Sequence, residues 1–182
     1  RGVLPLAVRA RAEGLRPLVL PAGNAAEAAV VEGIDAIGVT TLREVVACLN
    51  GEAEIVPAKP AAGESFGAEA LRYAEDFADV KGQTHVKRAL EIAAAGGHNV
   101  IMIGSPGSGK TMLARRLPTI LPPLTREEAL ETTKIHSVAG GTGLAGGLMT
   151  RRPFRAPHHL ASQVALIGGG QSPRPGEVSL AH

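Results

Sequence analysis

Eight consecutive residues, Gly104-Ser105-Pro106-Gly107-Ser108-Gly109-Lys110-Thr111, follow the spacing G-x-x-x-x-G-K-[ST]. Each residue type in that pattern has a task in holding the phosphates of a nucleoside triphosphate. Gly104, Gly107 and Gly109 let the backbone wrap tightly, so that its N–H groups converge on an anion. Ser105, Pro106 and Ser108 complete the loop. A helix beginning near Gly109 adds the positive end of its dipole. Lys110 brings a mobile charge to the β- and γ-phosphates and is the expected catalytic residue. Thr111 offers a hydroxyl to Mg²⁺, and Met112 follows as a further nucleotide-binding position. The expected ligands are ATP and Mg²⁺. An apolar run, Val100-Ile101-Met102-Ile103, precedes the loop and a helix-compatible run follows, which is the setting such a loop requires.

Other residues carry weaker chemical signals. Gly141-Thr142-Gly143-Leu144-Ala145-Gly146 fits G-x-G-x-x-G. A dinucleotide fingerprint needs a strand before it and a helix after it. Here a helix precedes and a basic, proline-bearing stretch follows, so the segment reads as a flexible loop. His158 and His159 are adjacent, and on an extended segment they would point opposite ways and not share a metal ion. They fit an insertion loop, an interface or an ordinary loop. Arg151, Arg152 and Arg155 surround Phe154. They fit a solvated basic face, or a contact with DNA phosphates or with a neighbouring subunit's nucleotide. Acidic residues are scarce from Thr132 to Gly176, which makes this stretch the best nucleic-acid candidate in the chain.

Composition narrows the classes. Hydrophobic residues make up 45% of the 182, enough for a core. No apolar run is long enough to span a bilayer. The net charge of +2 is too small to imply a polyanion partner. The aromatics are only Phe66, Tyr73, Phe77 and Phe154, a poor supply of stacking platforms for single strands. The single cysteine, Cys48, lies in the apolar stretch Val45–Leu49, reads as a small buried hydrophobe, and fits a reducing, cytoplasmic setting. The chain begins with Arg1 in mid-pattern and is expected to be a piece of a longer protein.

The elements that must position the loop form two groups, separated by a linker at residues 51–67 that contains Pro57, Pro60 and Gly63. In the first group, Leu4 to Glu13 reads as a helix closed by Gly14, and Leu18 to Leu20 as a strand. Asn24 with Glu27 suggests a capping box opening a helix to Gly33. Ala36 to Val39 is a second strand, and Thr41 with Glu44 caps a helix to Asn50. Strand, helix, strand implies a parallel pair. In the second group, Ala68 to Asp76 reads as helical. Val86, Ala89, Leu90, Ala93 and Ala94 form one apolar helix face, ended by Gly96-Gly97. Val100 to Ile103 is expected as a buried parallel strand. The loop and a helix to Leu117 follow, then a helix capped by Thr125 and Glu128. Residues 151–182 are loop-rich.

Taken together, these motifs resemble the magnesium-chelatase-like AAA+ ATPases of the ComM/YifB subgroup. The resemblance rests on Asp76-Phe77-Ala78-Asp79-Val80-Lys81-Gly82-Gln83 and the phosphate loop. It rests also on Arg152-Pro153-Phe154-Arg155-Ala156-Pro157-His158-His159, which is far more specific than the phosphate loop, and on Gly168-Gly169-Gly170 before Pro175-Gly176-Glu177. Leu160 departs from it, standing where relatives carry a small hydroxyl residue. The resemblance implies a P-loop NTPase core, a three-layer α/β/α domain starting at residue 68 and represented here over 68–182. It implies ATP hydrolysis in a hexameric ring of like subunits, with Val80 near the adenine. Two activities follow as alternatives, a DNA-acting motor for branch migration or unwinding in recombination or natural transformation, or a motor subunit for metal insertion into tetrapyrroles; a third reading makes this piece a nucleotide-binding fragment without activity of its own. The family's acidic Mg²⁺-holding strand, sensor residues and finger arginine are expected beyond His182. Residues 1–50 resemble the last part of a Lon-protease-like α/β domain of the ribosomal S5 domain 2 type. Leu4 aligns with that family's catalytic lysine, which implies that peptidase activity is lost.

Overall fold

The computed structural model describes residues 2–60, 73–140, 147–170 and 173–182. It is an α/β protein with small sheets. Helix α1 (Val3–Ala12) ends where Gly14 takes a left-handed φ of 78°. Strand β1 (Pro17–Pro21) runs directly into α2 (Ala22–Ala28), and β2 (Asp35–Val39) pairs with β1 in parallel, Leu18 opposite Ala36 and Leu20 opposite Gly38. Leu4, Ala7 and Ala10 of α1 project one face onto Leu20, Ala28, Val31, Ile34 and Ala36 to form a sealed core. The small residues bring α2 close to β2. A Cβ placed on Gly38 would lie 2.9 Å from the Ala25 Cβ. Helix α3 (Leu42–Leu49) follows, and its Leu42 and Leu49 remain exposed. Within the expected linker, Ala58 donates its N–H to the Ala36 carbonyl at 2.8 Å and packs against the same core.

The second group begins with a 3₁₀ turn, Phe77–Asp79, and α4 (Thr84–Gly96), closed by left-handed Gly97. After the loop come α5 (Lys110–Arg116) and a 3₁₀ turn, Leu117–Ile120. Helix α6 (Arg126–Ala139) opens with a complete capping box, in which Thr125 Oγ1 accepts from the Glu128 N–H and Glu128 accepts from the Thr125 N–H. Helix α6 reaches back to the first group. Leu130 packs on the Leu4 core, Arg126 pairs with Glu32 at 2.8 Å, and Ser137 Oγ donates to Glu27. Its buried Thr133 hydroxyl accepts the Met149 N–H and donates to the Ala129 carbonyl. The chain ends with α7 (Gln163–Ile167), the antiparallel pair β3 (Gly168–Gly169) and β4 (Arg174–Pro175), and α8 (Glu177–Leu180).

Several expectations need correction. Asn24 caps nothing. Helix α2 starts at Ala22, so Asn24 is already inside it, and Glu27 is turned toward Ser137. Thr41 does cap α3, but Glu44 reaches back to the Thr40 N–H and hydroxyl, one residue earlier than a capping box places it. Of the helix expected over 68–76, residues 68–72 lie outside the described residues and 73–76 are not helical. Val100–Ile103 is no buried strand. Ile101 and Ile103 are 84% and 89% exposed, because no described strand lies beside them to complete a ladder. The apolar face of α4 is covered only in part, with Leu90 and Ala93 buried and Val86 and Ala89 left open. The glycine-rich stretch 141–146 lies outside the described residues.

Candidate functional site

The loop between Val100 and α5 is shaped by its glycines. Gly107 and Gly109 hold φ at 81° and 86°, where a side chain is strained. A Cβ on Gly104 would approach the Ser108 hydroxyl to 3.0 Å. Left-handed Gly109 is the N-cap of α5 and has no side chain to offer, so the first-turn amides of α5 have no capping side chain. Lys110 Nζ folds back over the loop, donating to the Gly104 and Ser105 carbonyls at 2.9 and 2.8 Å and to Ser108 Oγ at 3.2 Å. Thr111 and Met112 are exposed beside it. Lys110 Nζ and the Ser108 hydroxyl thus meet over the loop backbone. A cavity of about 500 Å³, within the size range of ligand pockets, runs from Ser105, Ser108 and Lys110 along Gln83 and Val86 to Ile103.

The helix that carries Lys110 is anchored from below. Leu113, one turn on, is buried against Phe77, Val80 and Leu90. Val80 therefore sits in the core under the loop. Its carbonyl accepts from Lys87 Nζ at 2.8 Å, and Lys87 also lies 5.6 Å above the Phe77 ring. The Asp76–Asp79 turn closes on itself, because Asp76 accepts from the Ala78 N–H and Asp79 from the Asp76 N–H. It is tied to the far end of α5. The Phe77 N–H donates to Thr119 Oγ1, Arg116 Nε donates to the Asp76 carbonyl, and Arg116 pairs with Glu75 at 3.0 Å. At its near end Gln83 Nε2 donates to the Ser108 carbonyl at 3.3 Å. Lys87, Arg116 and Thr119 are site residues that the motif search missed, and Gln83 entered it only as the last residue of the Asp76–Gln83 motif, with no role attached. Gln83 left one trace in the sequence, since it holds a helix N-cap position that Ser, Thr, Asp or Asn normally fills.

The second candidate region is largely self-engaged. Arg155 makes a bidentate pair with Glu177, both bonds 2.6 Å, which raises the guanidinium's pKa and lowers the carboxyl's. Arg152 donates to the Pro122 carbonyl at 2.8 Å and pairs with Glu128, whose pKa is lowered chiefly by the Thr125 N–H and further by Arg152. Arg151 lies 5.9 Å from the Tyr73 ring centroid. His158 and His159 do not diverge as an extended segment requires. The chain turns there, and the two rings lie 4.2 Å apart. Among the described residues no group of three or more His, Cys, Asp or Glu could hold a metal ion. Thr111, exposed at the start of α5, would offer one hydroxyl to a Mg²⁺ that arrived with phosphates. Cys48 is half-buried and free. No helix among the described residues is long and apolar enough to cross a membrane.

The chain is 47% identical over 184 residues to an uncharacterized protein of Mycobacterium tuberculosis, covering all of this chain and 35% of the relative. It is 44% identical over 180 residues to the competence protein ComM of Haemophilus influenzae, covering 99% of this chain and 35% of that protein. Identity to YifB of Escherichia coli, itself uncharacterized, is 42% over 185 residues with the same 35% of the relative covered. The chain thus spans about a third of the length of these curated relatives. A partial match of 43% identity over 72 residues links 35% of the chain to 12% of the archaeal Lon protease of Archaeoglobus fulgidus. Residues 76–182, which hold the phosphate loop, the Asp76–Gln83 turn and the arginine segment, match the family described as magnesium chelatase, subunit ChlI, and the chain belongs to that family.

Proposed function

We propose that this chain is the ATP-binding part of an AAA+ motor ATPase whose complete protein hydrolyses ATP as a hexamer. In this reading residues 68–182 belong to a three-layer α/β/α core and residues 1–50 to the end of a Lon-like domain, joined by 51–67. The observation that carries it is the loop Gly104–Thr111, with Lys110 held over carbonyls that it can exchange for phosphate oxygens. The loop amides and Lys110 bind and orient the phosphates, Thr111 contributes its hydroxyl to Mg²⁺, and exposed Met112 flanks the nucleotide, while buried Val80 supports the site from below. Bound Mg²⁺ neutralises charge on the phosphates. Family membership and the match to a ComM protein support this reading. Lys110→Ala tests it. Loss of a charged hydrogen bond weakens binding by about 1.5–3 kcal/mol, roughly tenfold to a hundredfold. Unchanged ATP affinity by calorimetry would overturn the assignment.

The complete protein acts on DNA in the cytoplasm in this reading, as the competence name of one relative and the resemblance of residues 1–50 to a Lon-like domain favour. The alternative, a motor for metal insertion into tetrapyrroles, is favoured by the family description. Arg152 and Arg155 are paired internally, so neither offers a free charge to phosphates. DNA binding through them would have to break those pairs. Measuring salt-dependent DNA binding by the full-length protein, with and without ATP, separates the two readings. No binding under either condition sinks the DNA reading.

A further inference from the structure

Gln83 combines two features that neither helix formation nor packing explains. It is the one non-glycine among the described residues with positive φ, at φ 50° and ψ 39°. Left-handed backbone disfavours a side chain such as Gln and favours Gly or Asn. The neighbouring Gly82, φ 69°, meets the same demand without strain. Gln83 is also exposed, so its side chain is not retained to fill a core. What the side chain does is reach the phosphate loop. Its Nε2 donates to the Ser108 carbonyl, and a Cβ on Gly109 would lie 3.4 Å from that nitrogen.

The bond acts on one peptide unit. In a trans peptide the C=O and the following N–H point in opposite directions. Fixing the Ser108 carbonyl toward Gln83 therefore fixes the Gly109 N–H on the opposite face. Gly109 is the N-cap of α5, and its amide belongs to the set that the loop offers to an anion. The geometry points to Gln83 as a positioning residue that presets the Gly109 amide for phosphate binding, an assignment that rests on the nucleotide-binding reading given above. The strained backbone is the consequence of placing a side-chain amide where glycine would be easier.

Glycine at this position separates the two contributions. Gln83→Gly removes the tether and relieves the left-handed strain together. The experiment titrates ADP and ATP into the intact chain, its Lys110→Ala and Gln83→Gly variants, and Gln83→Ala, with thermal melts of each. Gln83→Gly is expected to melt no lower than the parent chain yet bind both nucleotides about two- to tenfold more weakly, the loss of one neutral hydrogen bond. Gln83→Ala should bind as weakly and melt lower. Amide exchange at Gly109, followed by NMR without nucleotide, should quicken in Gln83→Gly. If Lys110→Ala binds as tightly as the parent chain, the nucleotide reading fails. If Lys110→Ala is weakened while Gln83→Gly binds like the parent chain and Gly109 exchange is unchanged, the positioning role is overturned and the reading of the loop stands.

Discussion

The bodies on either side of the linker are built on opposite principles. Around β1 and β2, eight buried residues from two helices, two strands and the turn between α2 and β2 close over one another, and Leu4 is 1% exposed. Around the phosphate loop the buried cluster among the described residues is Phe77, Val80, Leu90 and Leu113, and of the run Val100–Ile103 Met102 packs against it while Val100, Ile101 and Ile103 are exposed. The first body has backbone partners for its strands. The second has the chemistry, but its central run has none among the described residues. Hydrogen bonds to the loop and turn therefore do there what packing does in the first body. They run from Arg116, Lys87, Gln83 and Lys110.

The largest expected effect tests that difference directly. Leu4→Ala should cost about 2–5 kcal/mol, because a buried cavity is left behind. Ile103→Ala in the same chain should change stability by less than about 0.5 kcal/mol, since the side chain is already in water. Urea melts of both variants decide it, and equal losses would show that the exposed run is covered in solution. The pair also sharpens the proposed three-layer core. In the complete protein, covering strands should raise the cost of Ile103→Ala toward the cost of Leu4→Ala. The same burial accounts for Leu4 as an aliphatic residue. A charged lysine there would be desolvated among Ala7, Ala28 and Ala36. That supports the expectation that the complete protein cleaves no unfolded substrate through this segment, which incubation with casein would check.

A smaller effect concerns the bridge between the bodies. Helix α6 joins them through Leu130, Arg126 and Ser137, and its start depends on the Thr125 cap. Thr125→Ala should cost about 1 kcal/mol. Thr41→Ala, whose helix buries no residue, should lower overall stability less than Thr125→Ala does. Thermal melts rank the two, and the reverse order would mean that α6 does not couple the bodies.

How much of this the sequence disclosed depended on whether the signal was local. The loop, the left-handed glycines and the Thr125 cap are written in short motifs, and the β1–α2–β2 unit in alternating apolar runs and turns. Asn24 misled because the chain enters α2 straight from Pro21, which a capping motif cannot register. Val100–Ile103 misled because an apolar run specifies only a wish for burial, and a strand also needs a neighbour. The contacts of Gln83 with Ser108 and of Arg155 with Glu177 join residues 25 and 22 positions apart, and no local pattern marks them.

The smallest effect is electrostatic and lies in the segment that resembled a nucleic-acid surface. Arg155 donates two short bonds to Glu177 and holds its carboxyl below the usual range. A carboxyl depressed in the folded state adds stability above its unfolded pKa, about 4.3, and loses it as pH falls through the folded value. The side chains are 39% and 25% exposed, so solvent screens the pair, and its worth is at the upper end of about 0.2–1 kcal/mol for such bridges. Glu177→Gln cannot titrate. The melting-temperature difference between the parent chain and this variant should thus be constant from neutral pH down to about 5, then shrink in more acidic solution. Other carboxylates with lowered pKa, Glu44 and Glu128, act on both proteins alike and drop out of the difference. Salt at 1 M should narrow the gap at neutral pH, because screening acts on the exposed part of the pair. A gap that stays the same at every pH would mean that Arg155 is held by packing rather than by charge. Its guanidinium would then be free to exchange Glu177 for a phosphate at little cost.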